Sequence, residues 1–278
     1  MSFVTTPAGA RIAWDSFGAE ELPPLVLVQG LGAQLLGWRP GFCERLVGKG
    51  FRVIRFDNRD VGQSQRYPQG DYALSDLADD TADLLDGLGL DSAHVVGQSM
   101  GGMVGQQLAL RHPDRVRSLG LVYTAPSLRY FRGRDAIDER LGGAAPATRD
   151  AFVSYYRDAE AVCRSTGYPQ DVAWLTEVGA QTWDRGWEPG GPQRQLQAVL
   201  ATTDQDEALW QLRVPTTILA GDSDQLVDPA ASVRLHEVIA LSTLRIFPGM
   251  GHELPEPLWG EIAGLLGAGA RRQPQAGA

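Results

Sequence analysis

Six short runs in this chain are apolar at nearly every position: Leu25–Gln29, Val53–Asp57, His94–Gly97, Leu119–Thr124, Thr216–Gly221 and Thr243–Phe247. A strand with one wet face alternates apolar and polar residues. A run that is apolar throughout suits a strand covered on both faces, as in a parallel sheet. Amphipathic stretches separate the runs, at Leu74–Leu88, Met100–Arg111, Ala230–Ala240 and Pro257–Leu266. Strand, helix and strand in repeated succession imply right-handed crossovers, so the expected fold class is α/β, with an open, doubly wound, mostly parallel sheet. Ahead of it, Ser2–Thr6 and Arg11–Phe17 flank Pro7-Ala8-Gly9 and read as a hairpin.

The rhythm stops after Thr124 and resumes at Thr216. Residues 126–207 contain no run of the buried-strand type. They read as short helices, Thr148–Thr166, Gln170–Thr182 and Pro192–Thr202, with turns at Gly142-Gly143 and Glu188-Pro189-Gly190-Gly191. The expected organisation is one core domain from 1–125 and 208–270, a helical cap inserted at 126–207, and a frayed tail at 271–278.

Composition narrows the function. A formal net charge of −9, from 34 acidic and 25 basic side chains, supplies no clustered basic surface for a nucleic acid. No apolar run reaches the ~20 residues of a membrane-spanning helix, and the first residues lack the basic-then-apolar order of a secretory signal. A cytoplasmic location without a membrane partner is the expectation. Cys43 and Cys163 lie far apart and outside any CxxC, against a disulfide framework or a cysteine-rich zinc site. The sole lysine, Lys49, sits between two glycines, which leaves Schiff-base and Ser–Lys chemistry without a candidate. No G-x-G-x-x-G follows the first strand of a βαβ unit, so no nicotinamide cofactor is expected, and no metal is expected either.

Gly97-Gln98-Ser99-Met100-Gly101 fits G-x-S-x-G, with a strand run before it and a helical stretch after it. That setting is a nucleophile elbow: the sharp turn strains the serine backbone, and small neighbours must accommodate it. Gly97, Gly101 and Gly102 supply them, which makes Ser99 the candidate nucleophile at the carboxyl edge of the sheet.

A serine hydroxyl needs a base. Of four histidines, His94 begins a strand, His112 ends a helix and His236 lies within one. His252 alone follows the last strand run on a glycine-rich loop, Pro248-Gly249-Met250-Gly251-His252, at the sheet edge where Ser99 stands. The orienting carboxylate should come from Gly221-Asp222-Ser223-Asp224, after the strand Thr216–Ala220. Asp228 reads as a helix cap before Pro229, and Asp222 sits against the strand. Asp224, on the loop crest, is the expected third member, with Asp222 as its competitor. The order Ser, Asp, His is that of the hydrolase version of the triad. Negative charge formed on attack needs donors. Met100 N–H, after the nucleophile, and Leu31 N–H, in Gln29-Gly30-Leu31-Gly32, are the candidates. Gln29 and Gly30 are expected to contact substrate.

On these residues the chain resembles the α/β-hydrolase fold superfamily over 1–125 and 208–268. Gln29-Gly30-Leu31-Gly32 together with Asn58-Arg59-Asp60-Val61-Gly62 is most similar to serine carboxylesterases of the aclacinomycin methylesterase type. Gln29 stands where many members carry His, and Asp60 where many carry Gly. The resemblance implies that Phe56–Ser64 shapes the pocket floor. It also implies a hydrolase acting on a small-molecule ester through an acyl-enzyme, without a cofactor. A carbon–carbon bond hydrolase or a cofactor-free perhydrolase would use the same triad, and a ligand-binding protein on this fold would use none of it. Nine aromatic residues between Tyr130 and Trp187 favour an apolar or aromatic substrate, although lid packing accounts for many of them. A homodimer is compatible with all of this.

Overall fold

The structure, a computed structural model, describes residues 1–7, 9–132 and 145–272. The Gly142-Gly143 turn, Ala8 of the hairpin turn and residues 273–278 of the expected tail lie outside the described residues. Eight strands form one sheet: β1 (Ser2–Thr5), β2 (Arg11–Phe17), β3 (Pro24–Val28), β4 (Arg52–Phe56), β5 (Ala93–Gln98), β6 (Val116–Val122), β7 (Thr216–Gly221) and β8 (Ser242–Phe247). Their spatial order is β1-β2-β4-β3-β5-β6-β7-β8. The hairpin β1–β2 and the β2–β4 pair are antiparallel, and every pair from β4 onward is parallel.

Period-two alternation on covered strands sends successive residues to opposite layers. On β3, Val26 and Val28 join one core with α2 (Leu74–Gly87), α3 (Met100–Arg111) and α8 (Ala230–Val238), as do Val95, Leu121 and Ile218 from neighbouring strands. Leu25 and Leu27 face the other core with Val96, Val122 and Leu219, covered by α1 (Pro40–Val47) and α9 (Trp259–Ala270). Both layers are dry, and each such aliphatic side chain contributes about 1.5–3 kcal/mol by leaving water.

Two differences from the sequence reading have simple causes. Strand β8 pairs only with β7 and is mostly half-exposed, because it forms the sheet edge. Helix α1 was not expected. It opens with Pro40 at its first position and turns Phe42, Cys43 and Leu46 inward, but eight residues are too few to establish a helical period.

Between β6 and β7 lie α4 (Arg149–Glu160), α5 (Val172–Asp184), α6 (Gly190–Leu200) and α7 (Asp206–Leu209). No strand occurs there among the described residues, only an isolated bridge of Phe131 to Val227. Thr148 and Asp171 cap α4 and α5 by accepting Ala151 N–H and Trp174 N–H. The expected helix Thr148–Thr166 ends early, at Glu160, and passes through a 3-10 turn, Ala161–Cys163, into an irregular stretch with bends at 166–168. Several aromatics pack the cap itself: Phe152 lies 4.6 Å from Trp187 and 5.6 Å from Trp183, between ring centroids.

The loop after β4 does not play the expected part. The described walls of the large cavity include none of residues 56–64. The loop instead docks the cap. Asp57, fully buried, accepts from Arg185 at 2.5 Å, and Asp60, equally buried, accepts from Arg194 Nε and Nη2 at 2.9 and 2.8 Å. Gln195 bridges the same junction, accepting Gly32 N–H at 2.8 Å and donating to the Arg59 carbonyl at 2.8 Å. A carboxylate without solvent needs a cation, and here the cap supplies it.

Candidate active site

Strand β5 ends at Gln98 and helix α3 begins at Met100, leaving Ser99 alone in the turn with φ 54° and ψ −124°. That left-handed φ is strained for a residue bearing a Cβ. Packing enforces it. A Cβ at Gly97 would stand 2.0 Å from the Gly101 carbonyl oxygen, and one at Gly101 would stand 2.2 Å from the Val28 oxygen. Ser99 N–H donates to the Val122 carbonyl at 3.0 Å, and Thr124 donates to the Ser99 carbonyl at 2.7 Å, so both sides of the turn are tied to β6 and its exit.

The three side chains singled out in the sequence meet here. His252 Nε2 lies 2.8 Å from Ser99 Oγ, and His252 Nδ1 lies 2.7 Å from Asp224 Oδ2. With its proton on Nδ1 the imidazole donates to Asp224 and accepts from the Ser99 hydroxyl. The second Asp224 oxygen accepts Leu226 N–H at 2.8 Å and Val227 N–H at 2.9 Å, which fixes the carboxylate in its own turn. Asp224 and His252 are both buried. The Tyr123 ring leans on the imidazole, with centroids 4.6 Å apart.

The competing residues are engaged elsewhere. Asp222 accepts Gly249 N–H at 2.7 Å and braces the histidine loop from below. Asp228 accepts Ala230 N–H at 2.9 Å at the start of α8. His94, His112 and His236 bond Ser118, Asp79 and Ser242 respectively.

Met100 follows Ser99 in the chain and Leu31 lines the same cavity as Ser99, and among the described residues neither backbone N–H has an acceptor. A Cβ at Gly30 would lie 3.4 Å from the Ser99 Cβ, an ordinary contact, so this loop packs against the nucleophile. Gln29 borders the cavity, but its side chain is turned to the loop. Its Oε1 accepts Gly30 N–H at 2.7 Å and its Nε2 donates to the Gln34 carbonyl at 3.3 Å. The Gln98 amide also donates to Gln29 Oε1, and Gln98 in turn accepts from the Tyr123 hydroxyl. This relay, from Tyr123 through Gln98 and Gln29 to the loop, escaped the sequence reading. Gln98 occupies a variable position of the elbow motif, and Tyr123 ends an apolar strand. Burial pushes the Tyr123 phenol well above its ordinary range, so it stays a proton donor.

A cavity of about 810 Å³ opens above Ser99. The core lines it with Leu31, Phe42 and Trp259, and the cap with Tyr156, Trp174 and Leu175. Arg39 sits between the Trp174 and Trp259 rings, 4.7 and 4.8 Å from their centroids, and pairs with Asp171 at 2.7 Å. It joins cap to core at the cavity wall. Among the described residues no cluster of three His, Cys, Asp or Glu could hold a metal ion, and no helix is long and apolar enough to cross a membrane.

A family model described as alpha/beta hydrolase fold matches residues 23–256. The chain is 32% identical over 249 residues to a putative carbamate hydrolase RutD of Caulobacter sp. (strain K31), covering 84% of this chain and 85% of that protein. Over 98 residues, 34% of this chain and 33% of the relative, it is 43% identical to the rhodomycin D methylesterase DnrP of Streptomyces peucetius. Among solved structures, a hydrolase from Pseudomonas aeruginosa PA01 superposes with a TM-score of 0.76 at 27% identity, covering 96% of this chain and 98% of that one. A meta-cleavage product hydrolase from Pseudomonas fluorescens IP01 shares the fold, with a TM-score of 0.78 at 22% identity and 97% of each chain covered. The chain belongs to the α/β-hydrolase fold family.

Proposed function

We propose that the protein cleaves a carboxylic ester of a bulky small molecule through an acyl-enzyme on Ser99. The observation that carries this reading is the unbroken contact from Asp224 through His252 to Ser99 Oγ, at 2.7 and 2.8 Å, open to the cavity. His252 Nε2 takes the hydroxyl proton as Oγ bonds to the ester carbonyl carbon. The carbonyl oxygen, now an alkoxide, accepts from Leu31 and Met100 N–H, donors already unpaired and therefore preorganised. His252 hands its proton to the alcohol oxygen as the ester C–O bond breaks. It then takes a proton from water, whose oxygen bonds to the acyl carbon, and returns that proton to Ser99 Oγ as the acyl C–Oγ bond breaks and the acid leaves. Asp224 holds the imidazole in the orientation each step needs.

Cavity size bears on the substrate. A volume of about 810 Å³ falls in the range of sites that enclose drug-sized ligands. A second reading, hydrolysis of a carbamate, is favoured by the relative that spans most of the chain. A small unsubstituted carbamate would leave most of this space filled with water, so burial of apolar surface could not orient it. A bulky ester uses the Trp174, Trp259 and Phe42 walls. The direct experiment sets aryl esters of graded acyl length against matched carbamates, with Ser99→Ala alongside. The ester reading expects kcat/KM to rise with acyl bulk and to vanish in the variant. Faster turnover of carbamates selects the second reading, and unchanged ester turnover in Ser99→Ala rejects both.

A further inference from the structure

The irregular stretch after the 3-10 turn in the cap lies along the loop that carries His252. Ser165 Oγ accepts Gly251 N–H at 3.0 Å, and Ser165 N–H donates to Glu253 Oε1 at 2.7 Å. One cap residue thus bonds the residue before the histidine and the residue after it. The contact continues on both sides. Gly167 N–H donates to the Gly249 carbonyl at 2.8 Å, and the Thr166 hydroxyl lies 2.7 Å from the Ser223 hydroxyl. The surfaces meet at backbone distance: a Cβ on Gly251 would stand 2.4 Å from the Arg164 oxygen and 2.5 Å from the Cys163 oxygen. Ser165 itself is buried.

We infer that Ser165 and Glu253 form a clamp through which the cap positions the His252 imidazole against Ser99. The inference rests on the proposed triad. Apart from the clamp, the imidazole itself is held by Asp224 on one side and the Tyr123 ring on another. Those contacts fix its plane and tautomer. Ahead of the histidine, Asp222 accepts Gly249 N–H at 2.7 Å and Ser223 N–H donates to the Met250 carbonyl at 3.0 Å. Neither bond directly opposes a slide of residues 251–253, and a shift of about 1 Å in a reacting group costs roughly 100-fold in rate. The Ser165 bonds oppose that slide from both neighbours of His252 at once. They also tie the base to cap placement, so a displaced cap is a slower catalyst and not merely a leakier pocket. Ser165 and Glu253 are positioning residues, acting through His252.

The test uses the full chain with an aryl ester, comparing S165A, E253A, E253Q and the double variant S165A/E253A, with S99A as control. S165A is expected to lose about 10- to 100-fold in kcat with KM within about twofold. E253A is expected to match it. E253Q keeps an acceptor oxygen for Ser165 N–H and recovers most of the loss, and the double variant is no worse than the poorer single. Glu253 also borders the cavity. Were it a substrate contact instead, the loss would fall on KM, E253Q would resemble E253A, and the effects of S165A and E253A would add. Those results overturn the clamp, as does wild-type kcat in S165A. If S165A fails to fold, the E253A and E253Q pair decides alone. Failure of the triad itself is read separately, as ester turnover that survives in S99A.

Discussion

Replacing Arg194 by Met removes the cap's hold on Asp60 while keeping side-chain length. In the folded protein Asp60 accepts Arg194 Nε at 2.9 Å, Arg194 Nη2 at 2.8 Å and Tyr67 N–H at 2.7 Å. The substitution leaves Asp60 the Tyr67 N–H bond, on Oδ1, and the Tyr72 hydroxyl, but no cation for a carboxylate that has no solvent contact. Removing one member of a buried pair costs about 3–5 kcal/mol. The Arg194 side chain is itself 20% exposed, so water can partly replace it, and we expect the lower end, about 3 kcal/mol. For a chain of this size that lowers the melting temperature by roughly 5–10 °C.

The effect has a pH signature. Desolvation pushes the Asp60 carboxyl up, but the Arg194 guanidinium, Tyr67 N–H and the Tyr72 hydroxyl outweigh it and hold the group below its ordinary range. Its contribution is therefore complete above the unfolded carboxylate pKa, about 3.9, and is lost as pH falls through the lower folded value. In the variant desolvation prevails, Asp60 takes up a proton more readily, and the deficit relative to wild type narrows as pH drops from 7 toward 4.5. Circular-dichroism melts of both proteins across that range give the answer. A deficit under about 1 kcal/mol, or one that does not change with pH, refutes the claim that a buried charge pair anchors the cap. Arg149→Ala removes a solvent-exposed pair with Asp184 on the same cap and should leave the melt unchanged.

Three further outcomes follow from the same contacts. Gln98→Leu breaks the relay between Tyr123 and the loop that presents Leu31, and steady-state kinetics should show kcat down about 10-fold with KM little changed. Burial, aided by Arg117, lowers the His94 imidazole to about 4. An unfolded histidine ionises near about 6.5, so stability is whole above that pH and declines as pH falls toward 4, and urea midpoints of His94→Asn should show a shallower decline. Burial pushes the Cys43 thiol up to about 12, so iodoacetamide at pH 8 should modify it only after unfolding, as peptide mapping would reveal.

The sheet and the three central side chains were legible because each signal is local. Ser99, Asp224 and His252 all lie within a few residues of the end of a parallel strand, in turns whose glycines mark sharp bends. The missing features are long-range. Arg194 reaches Asp60 across 134 residues, Ser165 reaches Gly251 across 86, and Gln98 reaches Gln29 across 69. A buried polar residue announces no partner in sequence; only the fold shows which charge neutralises which. That is why the loop after β4 was read as a pocket floor when its aspartates bind the cap. Gln29, expected to touch substrate, does line the cavity, but that its amide is bonded to Gly30 and the Gln34 carbonyl could be seen only in the fold.

The most direct measurement is rapid-quench mass spectrometry during turnover of an activated ester. The account requires a transient mass increase equal to the acyl group, mapped to the peptide that carries Ser99, formed in step with the first equivalent of alcohol and absent from Ser99→Ala. Alcohol release with no acylated peptide, or the same adduct on another residue, would contradict it.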